Sequence, residues 1–244
     1  MNKIRLSLVA ALLATTGTVS MLSANEIALS ANVAMTSNYV WRGMTQSDNS
    51  LAIQGGADIS YGGLYAGVWA SNVDFDNTET SSETDLYFGY GSSINDFSYD
   101  INYIQYIYAG DTDNLNFGEI SLTVGYDFGV VAVSAKYYKG IDTNDVSNDA
   151  ANGWEPGDGW EIAASVPLPM DISLDATYGD YDDEGNQNNP TNNYGDYYSV
   201  GVTKTFGKFD ATLAYTGIDY DVATNGHDND GKEANLVLTV GTSF

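Results

Sequence analysis

The chain has 244 residues, with 33 acidic side chains, 8 basic ones, one histidine and no cysteine. The acidic excess excludes a nucleic-acid-binding protein, because phosphate contacts need clustered Lys or Arg. The absence of cysteine excludes disulfides and thiolate chemistry. An apolar content of 43% is too high for a disordered acidic tail, and the length suits one large all-β domain.

The first 24 residues have the layout of a secretory signal peptide. Lys3 and Arg5 precede an apolar stretch at 6–14, and a small-residue region then runs to Ala24. The apolar stretch is about half as long as a membrane-spanning helix, and no later segment reaches about 18 apolar residues. We therefore expect an exported protein, with a cleaved signal peptide at 1–24 and a mature domain at 25–244. A retained anchor helix is the alternative.

From residue 25 onward the hydropathy pattern has a period of two, which is typical of strands with one apolar face. The first segment places Ile27, Leu29 and Val33 on one face and Ser30 on the other. The last segment, 233–244, alternates in the same way. Ten further strands are predicted between them, near 51–61, 64–72, 83–91, 97–108, 117–127, 130–139, 159–167, 171–181, 195–206 and 208–217.

Two tight turns test the predicted registers. A Gly-Gly turn pairs Tyr61 with Leu64, and a turn at Gly207 pairs Phe206 with Phe209. Both pairs join apolar residues, as the alternation requires independently. A shift of one residue would break both agreements.

The predicted connections alternate between short and long. Short turns and long loops on opposite sides are typical of outer-membrane barrels, with the turns in the periplasm and the loops outside. An even strand count then puts both chain ends on the periplasmic side. The short connections are 62–63, 91–96, 128–129, 167–170 and 207, and the long ones are 38–50, 73–82, 109–116, 140–158, 181–194 and 218–231.

The charged residues separate the two faces and distinguish a barrel in lipid from a soluble two-sheet sandwich, which is the alternative. The apolar face carries one charge, Lys204, near a strand end where its stem can reach water. Backbone groups in hydrocarbon must all be paired, so the sheet must close around a polar lumen. We predict an all-β fold, a 12-stranded antiparallel up-and-down transmembrane β-barrel. The opposite face carries Asp58, Glu83, Asp85, Asp100, Glu119, Lys136, Glu161, Asp175, Asp210 and Glu233, and is otherwise Ser, Thr, Asn, Gly, Ala and Tyr.

Aromatic residues near the ends of the outward runs predict two belts at the membrane interfaces. The terminal Phe244, with apolar residues at alternate positions before it, looks like the signal for the outer-membrane barrel assembly machinery. The expected partners are that machinery, outer-membrane lipids, lipopolysaccharide and small solutes. The belt residues are Tyr90, Phe97, Tyr126, Phe128, Tyr137, Tyr178, Phe206, Phe209, Tyr215 and Phe244.

Three stretches carry a resemblance to a known family. Residues 30–47 read SANVAMTSNYVWRGMTQS, residues 64–73 read LYAGVWASNV, and residues 83–87 read ETDLY. Together they resemble the opening of the TorF-type family of proteobacterial porins. The clear match covers about residues 28–108. The resemblance implies an outer-membrane barrel with a porin label and no particular substrate.

The inward acids predict a channel that favours cations, because a lumen lined by carboxylates concentrates cations and repels anions. Twelve strands lie between filled eight-stranded barrels and open porins of about 16–18 strands, so the bore is narrow. The 19-residue loop at 140–158 is long enough to fold into it. A non-conducting barrel with a structural or surface-binding role is the alternative. The predicted pore-lining residues are Asp58, Asp85, Asp100, Glu119, Lys136, Glu161, Asp175, Asp210 and Glu233.

Two basic residues have more than one interpretation. Arg42 is the only arginine after residue 24 and lies at the end of the first strand. It is either a positive spot at the pore mouth or, the favoured reading, half of an ion pair that holds the first loop. Lys136 is expected to pair with Glu119, because the 126–131 turn would bring positions near 120 and 136 together.

Catalysis and dedicated metal binding find little support in the sequence. The single histidine, His227, lies in a turn-rich loop, where fixed catalytic geometry is not expected. A barrel-resident phospholipase or protease is thus disfavoured. Residues 180–185, DYDDEG, partly imitate a calcium loop, but the closing position holds Thr191 in place of Glu. We predict no cofactor and no dedicated metal site.

Overall fold

A computed structural model describes residues 26–75, 79–110, 115–142, 156–182, 193–220 and 232–244. The predicted signal peptide, His227 and most of the imitated calcium loop lie outside these residues. No helix in the described ranges has the length and apolarity needed to cross a membrane.

The described chain forms one closed antiparallel barrel of twelve strands, in which chain neighbours pair and β1 closes the ring with β14. The predicted fold is confirmed. The barrel strands have 9 to 14 residues, and two further strands, β2 and β3, pair only with each other. The bounds are β1 Ala28–Thr36, β2 Val40–Trp41, β3 Met44–Thr45, β4 Ala52–Tyr61, β5 Leu64–Asn72, β6 Ser82–Ile94, β7 Phe97–Ala109, β8 Phe117–Asp127, β9 Ala132–Asp142, β10 Asp158–Leu168, β11 Ile172–Asp182, β12 Asn193–Phe206, β13 Phe209–Tyr220 and β14 Lys232–Ser243.

Both turn tests of the register are confirmed. Tyr61 pairs with Leu64 across the β4–β5 turn, and Phe206 pairs with Phe209 across the β12–β13 turn. Connections of two to four residues join the strands at this edge of the barrel, which we term the short-turn end. The opposite edge, where the longer connections lie, is the long-loop end. Strand β1 begins and β14 ends at the short-turn end.

The outer wall is an apolar band bordered by aromatic rings. Alternate residues of each strand are exposed and mostly Leu, Ile, Val or aromatic. This is the pattern of a wall that faces lipid, since a soluble protein rarely exposes so continuous an apolar surface. Exposed rings at the short-turn end are Tyr61, Tyr90, Phe97, Tyr126, Phe128, Phe206, Phe209 and Phe244, and those toward the long-loop end are Tyr137, Trp160, Tyr178 and Tyr215.

The outer wall carries more charge than the sequence pattern suggested. By strand alternation Asp158, Asp180, Asp196 and Asp219 point outward on four neighbouring strands, toward the long-loop end. In register, Asp180 is opposite Asp196, which is opposite Asp219. The prediction that Lys204 is the single outward charge was therefore wrong. These strands extend past the apolar band, so their last outward positions no longer need to be apolar.

The inner wall is less polar than predicted at the long-loop end. Trp69, Ile104 and Phe117 are buried there on the inward side, in one cluster with Tyr39. The sequence analysis had predicted residues of these types only on the lipid-facing side. The cause is a segment between β1 and β4 that folds into the bore and gives the inward apolar residues a partner.

Candidate functional site

A short hairpin occupies the bore of the barrel. Its strands are β2 and β3, with Val40 opposite Thr45 and Trp41 opposite Met44. Its first residues are almost fully buried, with Tyr39 and Val40 each 2% exposed. We refer to residues 39–46 as the inserted hairpin.

The turn of the inserted hairpin explains its placement. Arg42 and Gly43 both have positive φ, at 48° and 83°, as a two-residue type I′ turn requires. Glycine accepts this conformation freely, whereas arginine loses about 1–2 kcal/mol. A Cβ added at Gly43 would lie 2.3 Å from the carbonyl oxygen of Gly217 on β13. The turn therefore presses directly on the barrel wall.

Arg42 lies inside the barrel in a buried ion pair with β8. Its Nη2 donates to Glu119 Oε2 at 2.5 Å, and the two side chains are 7% and 1% exposed. The guanidinium carbon lies 3.6 Å from the ring centroid of Tyr138, 4.2 Å from that of Trp41 and 4.7 Å from that of Tyr181. Burial alone lowers the pKa of Arg42, but Glu119 raises it, and the net pKa lies well above the ordinary value. The guanidinium therefore keeps its charge.

Lys136 approaches the same carboxylate from β9. Its Nζ lies 3.7 Å from Glu119 Oε1. The two residues are not directly opposite, because Lys136 pairs with Thr123 and Glu119 pairs with Gly140. The predicted hairpin register was wrong here, since the turn closes between Asp127 and Ala132, and the ion pair runs diagonally between the strands.

The inserted hairpin also bonds to other sides of the barrel. The Tyr39 hydroxyl donates to Glu83 Oε1 on β6 at 2.9 Å, and the Thr45 N–H donates to Glu233 Oε1 on β14 at 3.0 Å. Burial and the negative charge of Glu83 raise the pKa of Tyr39, so its hydroxyl remains a donor. The turn of the hairpin presses on β13, as described above, and β13 lies nearly opposite β6 in the ring of twelve strands. The hairpin therefore crosses the bore.

Most of the other predicted pore-lining acids accept hydrogen bonds from hydroxyl groups. Asp58 and Asp175 are buried, Asp100 and Glu161 are half-buried, and Asp210 is exposed at the short-turn end. A carboxylate with such donors keeps its charge at low cost. The donors are Tyr87 for Asp58, Tyr65 for Asp100, Tyr197 for Glu161, Ser165 and Ser173 for Asp175, and Thr205 for Asp210.

Asp85 differs from the other inward acids. It is 0% exposed, no hydroxyl, amide or basic group among the described residues donates to its carboxylate, and its hydrogen-bonding neighbour is the carboxyl group of Glu83. Glu83 lies two residues earlier on β6 and is buried as well. No three His, Cys, Asp or Glu side chains in the described ranges are arranged to hold a metal ion.

The sequence analysis did not predict that the connection between β1 and β4 enters the bore, and its suggestion that loop 140–158 folds into the bore stays a prediction. Residues 143–155, most of the loop proposed for that role, lie outside the described residues. The inserted hairpin was instead part of the stretch that carries the family resemblance. Its aromatic surroundings, Tyr138 and Tyr181, were not predicted as site residues. One available signal was the clustering of Tyr39, Trp41 and the only arginine after residue 24 in one connecting loop.

These features define a closed twelve-stranded antiparallel barrel, a fold that solved porins share. The fold is similar to that of the NanC porin, with a TM-score of 0.58 and 10% identity over 89% of this chain and 99% of that chain. It is also similar to the KdgM porin solved in complex with disordered oligogalacturonate, with a TM-score of 0.59 and 9% identity over 88% and 99% of the two chains. At such identities the likeness concerns the fold.

The sequence places the chain in a family. A family model described as a bacterial protein of unknown function (Gcw_chp) matches residues 22–244, and the chain belongs to this family. Comparison with curated proteins gives no match. The TorF-type assignment remains a prediction.

Proposed function

We propose that this protein is an outer-membrane channel for the passive diffusion of small solutes, with a preference for cations. The observation that carries the proposal is the contrast between the two sides of one closed wall. The outside is an apolar band between aromatic belts, and the inside holds carboxylates. A closed sheet of this kind satisfies its backbone within lipid and encloses a polar path.

The charge balance of the lumen supports cation preference. In the described part of the inner wall and hairpin, the two bases Arg42 and Lys136 both lie beside Glu119. The other inward acids therefore have no base of their own. A narrow bore with low-dielectric walls focuses their field, so cations enter more readily than anions. Selection by charge involves no bond made or broken, and the proposal includes no catalysis.

The inserted hairpin sets the size limit in this proposal. It crosses the bore near Glu119 and is tied to β6, β8 and β14. Any solute must pass beside it. We therefore propose that the substrates are ions and small polar molecules, and that the wall near the hairpin is the selective region.

Location and partners follow from the same arrangement. We propose that the short turns face the periplasm, that lipid surrounds the apolar band, and that lipopolysaccharide surrounds the long-loop end. Phe244 exposes its ring outward, while its backbone exchanges two hydrogen bonds with Ala31, at 2.9 and 3.3 Å. The ring is thus free to act as an assembly signal without any loss of barrel closure.

A non-conducting barrel is the second candidate. It is favoured by the aromatic packing around the inserted hairpin, where Trp41 contacts rings from three strands, those of Tyr106, Phe117 and Tyr181. With such packing the inserted hairpin would block the bore completely, whereas in the channel proposal it only narrows the bore. The structural role would then belong to the outer wall and the loops.

Planar bilayer recordings separate the two candidates. Purified, folded protein is added at low concentration, with detergent alone as the blank. The channel proposal predicts discrete conductance steps of uniform size. A preparation that inserts, as verified by protease protection in liposomes, and yet gives no steps would support the non-conducting barrel and exclude the channel.

A further inference from the structure

Glu83 and Asp85 form an unusual pair on the inner wall. They are separated by one residue on β6, so both side chains point into the barrel near the long-loop end. They are 1% and 0% exposed. Glu83 Oε1 accepts the Tyr39 hydroxyl, and Tyr108 is a second hydroxyl partner of the Glu83 carboxylate. No hydroxyl, amide or basic group among the described residues donates to Asp85, whose hydrogen-bonding neighbour is the carboxyl group of Glu83.

Two buried carboxylates in this state need a counter-charge. An isolated ionised carboxylate is costly to bury, and the cost is removed only by a proton, a base or a bound cation. The inward bases of the described chain, Arg42 and Lys136, are engaged with Glu119. The charges that act on Asp85 are those of Glu83 and Glu119, which are also negative. The described residues therefore supply no positive group here.

We propose that Glu83 and Asp85 bind a divalent cation of the Ca²⁺ type. Their carboxylate oxygens are hard ligands of the kind that Ca²⁺ prefers, and a double positive charge balances both carboxylates. Ca²⁺ accepts irregular oxygen coordination with water completing the shell, which suits two ligands whose spacing is fixed by a strand. The described residues offer no third acidic ligand at this point, and neither carboxylate is exposed to solvent, so the ion would have to carry the water that completes its shell into the site.

The contrast with the other buried inward acids supports the assignment. Asp58 accepts the Tyr87 hydroxyl at 2.5 Å, and Asp175 accepts two serine hydroxyls. Both carboxylates are stable without an ion. Asp85, which is buried at least as deeply, lacks any such donor. The site is thus specific to one place in the lumen and is not a general property of its negative charge.

Calorimetric titration with Ca²⁺ tests the site in the full-length folded barrel after treatment with a chelator. The wild type is expected to show one binding event per barrel. Asp85→Asn is expected to abolish Ca²⁺ binding or to weaken the affinity more than about tenfold. Loss of a residue that only supports a metal ligand already weakens affinity by about tenfold or more, so loss of a ligand itself should cost at least as much. The matched control is Asp100→Asn, the same change at an inward acid that Tyr65 already satisfies. No event in the wild type, or equal binding in D85N, would overturn the proposal.

A second measurement uses the wild type alone, in case D85N folds poorly. Ca²⁺ is expected to raise the unfolding temperature relative to chelator, because an ion that binds only the folded state stabilises it. Infrared spectra test the competing explanation, in which a shared proton and not a cation neutralises the pair. A protonated-carboxyl band that persists in saturating Ca²⁺ and vanishes in D85N would show that the pair shares a proton and would overturn the cation site. Neither readout involves conductance, so the cation site and the channel can fail separately.

Discussion

The guanidinium of Arg42 donates a hydrogen bond to the carboxylate of Glu119 across 2.5 Å inside the barrel. This contact joins the turn of the inserted hairpin to β8, close to the long-loop end of the wall that surrounds it. Both side chains are buried, so neither can turn to water if the other is removed. The pair therefore fixes the position of the segment that narrows the bore.

Replacement of Glu119 by Gln should release the inserted hairpin. Removing one charge of a buried ion pair costs about 3–5 kcal/mol, because the other charge stays buried without a partner. We expect lower stability in denaturant unfolding and a larger single-channel conductance. The control for the unfolding measurement is D100N, whose carboxylate bonds to Tyr65 and has no hydrogen bond to the hairpin among the described residues. Unfolding and conductance equal to those of the wild type would show that the ion pair does not anchor the hairpin.

Gly43→Ala should disturb the hairpin in a different way. Alanine would be strained at a φ of 83°, and its Cβ would lie 2.3 Å from the carbonyl oxygen of Gly217. The matched control is Gly207→Ala, where φ is 65° but no atom lies within 4 Å of the added carbon. The control should lose about 1 kcal/mol from backbone strain alone, and G43A clearly more. Equal losses in denaturant unfolding would mean that the hairpin does not press on β13.

Cation preference should depend on the inward acids and not on the outward ones. Each charge in a water-filled bore contributes roughly 0.5–1 kcal/mol at 4–8 Å. The double variant D100N/E161Q removes two such charges, about 1–2 kcal/mol together, and should therefore lower the potassium-to-chloride permeability ratio by roughly five- to thirtyfold.

The outer wall offers the control for this experiment. Asp196 points outward between Asp180 and Asp219, so D196N/D219N removes the same charge from the other side of the sheet. Its permeability ratio should stay at the wild-type value. A drop equal to that of the inward pair would mean that overall charge, and not the lumen, sets selectivity.

Phe244→Ala should reduce assembly in cells more than folding in the test tube. The substitution removes an exposed ring but keeps the backbone bonds to Ala31 that close the barrel. We expect less protein in the outer-membrane fraction and unchanged refolding into detergent. The control is Phe209→Ala, which removes another exposed ring at the same end of the barrel. If both variants lost the same amount of protein from the outer-membrane fraction, the role of Phe244 would be contact with lipid, as for any exposed ring, and not that of an assembly signal.

The barrel could be predicted from the sequence because its constraints are local and repeated. Lipid outside and water or polar groups inside impose a strict two-residue period, and the turn pairs Tyr61–Leu64 and Phe206–Phe209 fix the register. Strand ends were less predictable, as Asp180 and Asp196 show. An outward position must be apolar only within the membrane band, and the sequence does not mark where the band stops.

The interior of the bore could not be predicted in the same way. An Arg-Gly pair is a weak hairpin signal, since type I′ turns usually hold Asn-Gly or Asp-Gly. The stability of the inserted hairpin comes from Glu119, Tyr138 and Tyr181, which lie far away in the chain. Alternation placed these side chains on the inward face, but only the three-dimensional fold shows which of them meet Arg42.

The central claim is tested most directly by the reversal potential of the purified wild-type protein in a planar bilayer under a potassium chloride gradient. An acidic lumen narrowed by the inserted hairpin predicts discrete channels whose reversal potential shifts toward the potassium equilibrium potential. A shift toward the chloride potential, or verified insertion without any channel, would contradict it.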